Sequence, residues 1–228
     1  MNQRSLRKRL ILALDVKDIR QARRFMNMLA SAIGMVKIGP VLFTAYGPKI
    51  VDLVREKGSR VFLDLKFHDI PNTVAGAVRQ ATRLNVAMVS LHTAGGEEML
   101  VRAAQAAKEE AAAAKVKKPL LLGITVLTSD KAGADTRRTV VQRARLARKA
   151  GLDGVVCSVH EAAAVRKACG KAFVIVTPGI RPQGADTGDQ KRVATAATAF
   201  AAGAQYIVVG RPILEAANPL EAVKRLMK

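Results

Sequence analysis

The sequence predicts a single-domain (β/α)8 barrel spanning residues 1–228, and three observations predict it. Eight short apolar runs rich in β-branched residues recur along the chain, roughly 28 residues apart, the spacing of a small barrel of this kind. Segments with helical spacing of apolar residues separate them. Polar residues with chemical potential collect at the C-terminal ends of the runs, the end at which such barrels keep their sites.

The runs cover residues 10–14, 35–38, 61–63, 87–91, 120–125, 154–157, 173–176 and 206–209. Each is continuously apolar rather than alternating, which requires cover on both faces and therefore a parallel sheet with helices outside. Between the first two, Ile19, Arg23, Met26 and Ala30 mark a helix; Ile50, Leu53 and Val54 mark another. Gly34, Gly58, Gly151 and Gly203 stand shortly before the next run, the C-cap position at which a helix stops. Two of them belong to a faint repeat, Ala150-Gly151-Leu152-Asp153 and Ala202-Gly203-Ala204-Gln205. Residues 103–118, with four alanines at 111–114, read as a helix ending in a basic loop. A doubly wound open sheet is the rival architecture, but no G-x-G-x-x-G follows the first run, which removes its strongest form.

Composition narrows the function classes. Half the residues are hydrophobic and a quarter charged, enough apolar material for a core and too much for a disordered chain. No apolar run approaches the ~20 residues of a membrane helix. The basic start, residues 1–9, precedes only five apolar residues before Asp15, too few for an export signal, so a cytoplasmic protein is expected. Two cysteines, Cys157 and Cys169, are too few for a disulfide framework or a zinc site, and the three histidines share no metal-binding spacing. Thirty-eight Lys and Arg against eighteen Asp and Glu leave a net charge of +20. That balance suits an anionic substrate or a nucleic acid. With six Phe, two Tyr and no Trp to stack on bases, nucleic acid is not the expected partner, and a solvated basic surface is the default.

The strand ends can be read in turn. They offer Asp15, Lys37, Asp64 with Lys66, His92, residues 125–129, Ser158, residues 178–181, and Gly210-Arg211. In a regular strand Asp64 and Lys66 share a face, and Lys37 from the neighbouring strand can approach them. Ammonium and carboxylate groups alternating in a partly dry site hold one another ionised. A lysine so placed can protonate a forming carbanion, and a carboxylate can crowd an anionic group pressed against it. A structural salt bridge at the barrel mouth is the plain alternative. At the other side, residues 177–184 and Val209-Gly210-Arg211-Pro212-Ile213 form glycine-containing turns after the seventh and eighth strands, where barrels often bind phosphate. Gly210 permits close backbone approach, and Arg211 offers a bidentate grip.

The run Asp64-Leu65-Lys66-Phe67-His68-Asp69-Ile70-Pro71-Asn72-Thr73 closely resembles the hallmark of the orotidine 5'-phosphate decarboxylase family. The likeness continues through Leu12-Ala13-Leu14-Asp15, Val36-Lys37-Ile38-Gly39, Thr125-Val126-Leu127-Thr128-Ser129, Asp153-Gly154-Val155-Val156-Cys157-Ser158, residues 177–184 and Val209-Gly210-Arg211-Pro212. The resemblance implies a homodimeric barrel with its sites at the subunit interface and with no metal or organic cofactor. It implies that Asp64 crowds the substrate carboxylate and that Lys66 protonates C6 of the pyrimidine as carbon dioxide leaves. Lys37 would complete the charge array with Asp69 from the other subunit. Asp15, Lys37 and the other subunit's Thr73 would bind the ribose hydroxyls, and Thr128 and Ser129 would lie by the pyrimidine edge. Arg181, Gln190, Gly210 and Arg211 would hold the phosphate under a loop at 179–190.

Two features depart from what the family requires. From Ser129 the chain reaches the sixth strand in few residues, so the loop beside the pyrimidine is expected to be trimmed, and the reaction does not need the +20 charge. Related barrels with Asp-x-Lys-x-x-Asp use magnesium on keto-sugar phosphates, and Asp64, Lys66 and Asp69 fit that skeleton too. Residues 70–73 and 178–184 favour the pyrimidine enzyme.

Overall fold

In a computed structural model, which describes residues 7–127, 133, 135–181 and 194–226, eight parallel strands close into a barrel in sequence order. The strands are β1 (Leu10–Ala13), β2 (Met35–Ile38), β3 (Arg60–Phe67), β4 (Met88–His92), β5 (Leu120–Ile124), β6 (Gly154–Val156), β7 (Val174–Thr177) and β8 (Tyr206–Val209). β8 returns to pair with β1, Leu12 beside Val209, which closes the ring.

Helices cover the outside. α1 (Ile19–Leu29) follows β1, with the Asp18 carboxylate accepting from the Gln21 N–H at 2.9 Å as its N-cap. Its apolar stripe of Ala22, Met26 and Leu29 is buried against the sheet. After β2 come two short helices, α2 (Pro40–Tyr46) and α3 (Pro48–Glu56), broken at Gly47-Pro48. Gly47 has φ +55, a left-handed conformation that glycine adopts without penalty, and Pro48 opens the next helix. α4 (Pro71–Arg83) follows β3, and α5 (Gly96–Ala113) follows β4 after a short 3-10 turn at Thr93–Gly95. α6 (Thr136–Lys149) buries only Val140, Ala144 and Ala147, and α7 (Val159–Cys169) packs beside it. α8 (Ala196–Ala201), α9 (Arg211–Leu214) and α10 (Pro219–Arg225) complete the chain.

Two cores result from the strand alternation. Leu10, Leu12, Val36, Leu63 and Val89 face outward into the layer between sheet and helices. Ile11, Ala13, Met35, Phe62, Met88, Leu122, Val176 and Val208 face inward and fill the barrel. Ala13, Phe62 and Val208 end this plug and form the floor of the cavity above it.

The expected strands at 35–38 and 206–209 are observed with those limits, and the third is longer than expected, running on through Phe67. Gly58, Gly151 and Gly203 have positive φ, as C-cap glycines do, but Gly34 does not. Gly34 is required for another reason. Its N–H donates to the Arg7 carbonyl at 3.2 Å, and a Cβ there would lie 2.9 Å from that oxygen.

Candidate active site

The inward-facing tiers position the site. Ala13 pairs with Lys37 and Lys37 with Phe62, so these three lie side by side across β1, β2 and β3. Asp15 and Asp64 stand two residues beyond Ala13 and Phe62, hence one tier higher and on the same face. The Lys37 ammonium rises between them, 3.2 Å from Asp15 Oδ1 and 3.5 Å from Asp64 Oδ2. Lys66 Nζ donates to Asp64 Oδ2 at 2.8 Å. Gly39 leaves room for this array, because a Cβ there would sit 3.3 Å from both the Asp15 carboxylate and the Lys37 ammonium.

Lys66 does not reach Asp64 by simple strand alternation. Leu63 pairs with Val89, yet the next paired residues are Phe67 and Leu91, so three residues of β3 span one of β4. This bulge includes Lys66 at φ +51, a left-handed conformation that costs a non-glycine residue about 1–2 kcal/mol. The single β4 residue opposite the bulge is Ser90. Its hydroxyl donates to Asp64 Oδ1 at 2.7 Å and accepts from the Lys66 backbone N–H at 3.0 Å. Ser90 belongs to none of the sequence motifs; its signal in the sequence is a lone hydroxyl in the apolar run beside the Asp64 strand.

Burial is the largest influence on the Asp64 carboxyl and alone would raise its pKa. The charges of Lys37 and Lys66, with hydrogen bonds from Lys66 and Ser90, outweigh it and hold the group below the usual carboxylate range. Unit charges ~4 Å apart at an effective dielectric of about 20 attract by about 4 kcal/mol, and Asp64 has two such partners.

A cavity of about 670 Å³ opens above the plug, lined from β1, β2, β3, β5, β6 and β8 and from the segments that follow β1, β5, β6, β7 and β8. Asp15, Lys37, Asp64 and Lys66 form one wall; Arg181, Gly210 and Arg211 lie in the same lining. Lys17, Gln21 and Glu215, which lie outside the sequence motifs, also line it. Cys157 is buried and lines it as well. The lining thus carries five cationic side chains against three carboxylates, a balance suited to an anion.

Other expected positions lie elsewhere. Asp69 and Thr73 are exposed and are not in the lining, and the Asp69 carboxylate accepts from the Ile70 N–H at 2.6 Å. His92 stacks against His68 with ring centroids 5.5 Å apart. Ser158 is an N-cap for α7, accepting from the His160 N–H at 3.5 Å, rather than a wall of the cavity. Thr128, Ser129 and Gln190 fall outside the described residues. Among the described residues no group of three or more His, Cys, Asp or Glu side chains could hold a metal ion, and no helix is long and apolar enough to cross a membrane.

Residues 8–226, the barrel together with this site, match the profile of the orotidine 5'-phosphate decarboxylase / HUMPS family. The chain belongs to that family. It is 49% identical to the orotidine 5'-phosphate decarboxylase of Moorella thermoacetica over 227 residues, covering 96% of this chain and 90% of that protein. It is 46% identical to the enzyme of the same name from Syntrophotalea carbinolica, covering 97% and 94%. Among solved structures, the orotidine 5'-phosphate decarboxylase from Lactobacillus acidophilus superposes with a TM-score of 0.81 at 31% identity, covering 96% of this chain and 97% of that one. Family membership bears out the resemblance carried by residues 64–73, and the closed barrel bears out the fold.

Proposed function

We propose that the chain decarboxylates orotidine 5'-monophosphate to uridine 5'-monophosphate, with Lys66 as proton donor. The observation that carries the chemistry is the 2.8 Å contact between Lys66 Nζ and a buried, ionised Asp64. A substrate carboxylate set against Asp64 is repelled by a charge that cannot readily be neutralised. As the C6–carboxylate bond breaks, carbon dioxide leaves and the electron pair remains on C6. A proton from the Lys66 ammonium then completes the new C6–H bond, and the amine regains its proton from solvent. Fixed charge beside the reacting carbon stabilises the developing carbanion without reorganising as it forms.

The remaining roles extend this reading to the rest of the site, of which Asp15, Lys37, Arg181, Gly210 and Arg211 line the cavity. Arg181, Gly210, Arg211 and Gln190 hold the phosphate, and that binding energy is available to drive the substrate against Asp64. Asp15 and Lys37 bind the ribose hydroxyls, and Thr128 and Ser129 meet the pyrimidine. Asp69 and Thr73 act in the cavity of a second subunit of a homodimer. Their exposure supports this reading, as do exposed Ile70 (67%) and Val41 (71%), which follow the adjacent strands β3 and β2 at the same rim.

The test is the loss of orotidylate absorbance in excess chelator. The expected result is full activity with chelator and a loss of about 10²–10⁴-fold in Lys66→Ala, the usual contribution of a positioned proton donor. No loss of orotidylate from the folded protein, with magnesium-dependent turnover of a keto-sugar phosphate instead, would replace this reading with the chemistry of the related barrels.

A further inference from the structure

We propose that Ser90 is a positioning residue for the decarboxylation: its one hydroxyl orients the Asp64 carboxylate and holds the Lys66 backbone, setting the Lys66 ammonium against Asp64. The inference rests on the reading of Lys66 as proton donor.

Ser90 has no exposed surface and is not in the cavity lining, so it acts only through its neighbours. It is the β4 residue spanned by the bulge, which sets three residues of β3 against one of β4. A hydroxyl is the smallest side chain that donates and accepts at once, and both functions are used here. Donation to Asp64 Oδ1 leaves Oδ2 facing the ammonium groups of Lys37 and Lys66. Acceptance from the Lys66 N–H satisfies a donor that the bulge removes from the ladder and pins the residue at positive φ. Without the hydroxyl, the carboxylate is free to turn about its own axis. The Lys66 backbone also loses its partner at the point where it is most strained.

The test uses two variants of equal shape, Ser90→Thr and Ser90→Val, in the full chain with the native protein and Lys66→Ala alongside. Thr keeps the hydroxyl, Val lacks it, and both suit a strand. The expected result is a kcat for Ser90→Thr within about threefold of native and a fall of about 10- to 100-fold for Ser90→Val, the usual effect of deleting a hydrogen bond to a charged group. Affinity for uridine 5'-monophosphate, which carries no carboxylate to meet Asp64, should stay within about threefold in both. Equal kcat values for the Thr and Val variants would overturn the proposal. So would a Val variant that loses nucleotide affinity in step with kcat, because that marks general damage to the site. If the Val variant does not fold, Ser90→Ala is compared with Ser90→Thr by the same criteria. A native chain without orotidylate activity would instead remove the functional reading on which the proposal rests.

Discussion

Asp64 is held below the usual carboxylate range in a place where burial alone would raise its pKa, its side chain only 9% exposed. This makes the residue a source of pH-dependent stability as well as a reactive element. Its folded pKa lies below the unfolded value of about 4, so its stabilising contribution is complete above that pH and is lost as the pH falls through the folded value. Urea unfolding at a series of acidic pH values should therefore show a shallower decline below pH ~4 in Asp64→Asn than in the native chain. Identical slopes would mean that the two lysines do not outweigh burial. At this scale the sequence was informative about identity but not about contact. Asp64, Lys66 and Lys37 were legible because strand ends in a barrel converge. Ser90 was not, because a serine in an apolar strand carries no local sign of which neighbour takes its hydroxyl.

At the scale of elements, the barrel closes where backbones approach closely. A Cβ at Gly154 would fall 2.2 Å from the Val174 carbonyl oxygen and 2.6 Å from the Val174 Cβ, across the β6–β7 contact. A backbone oxygen in a paired strand cannot rotate away as a side chain can, so the strand itself must move. Gly154→Ala should cost about 2–3 kcal/mol and lower the thermal midpoint by roughly 5–10 °C. An unchanged midpoint in a calorimetric scan would show that β6 and β7 can separate without penalty. Strand positions were legible from apolar runs, and three of the four proposed C-cap glycines have the left-handed conformation that the position favours. The bulge in β3 was not legible, since residues 64–66 contain no glycine to mark it. It arises from the partner strand, whose Ser90 takes the Lys66 N–H in place of a regular ladder bond.

For the whole molecule, the question is whether Asp69 and Thr73, exposed and outside their own cavity, serve the cavity of a second subunit. Under the shared-site proposal, mixing Lys66→Ala with Asp69→Ala subunits restores activity. Each mixed pair then holds one cavity with both native residues. Activity regained on demonstrated subunit exchange is the expected outcome, and none regained would end the proposal. The charge of +20 belongs to this scale as well. Much of it lies on outer helices such as α6, which carries Arg137, Arg138, Arg143, Arg145, Arg148 and Lys149 and no acid. The cavity itself holds five cations against three carboxylates, so only a small part of the excess faces a substrate.

The sequence by itself determined the fold class, because eight apolar runs separated by amphipathic segments have few ways to bury both faces of every strand. It also determined the family, through a ten-residue motif whose order and spacing are specific. Tertiary structure alone decided how the reactive groups meet. Register between β3 and β4 is set by pairing across residues more than twenty positions apart, and it is this pairing that inserts the bulge, turns Lys66 to positive φ and brings its ammonium to Asp64. Local propensity cannot encode such a contact, since the hydrogen bonds that stabilise it come from another strand.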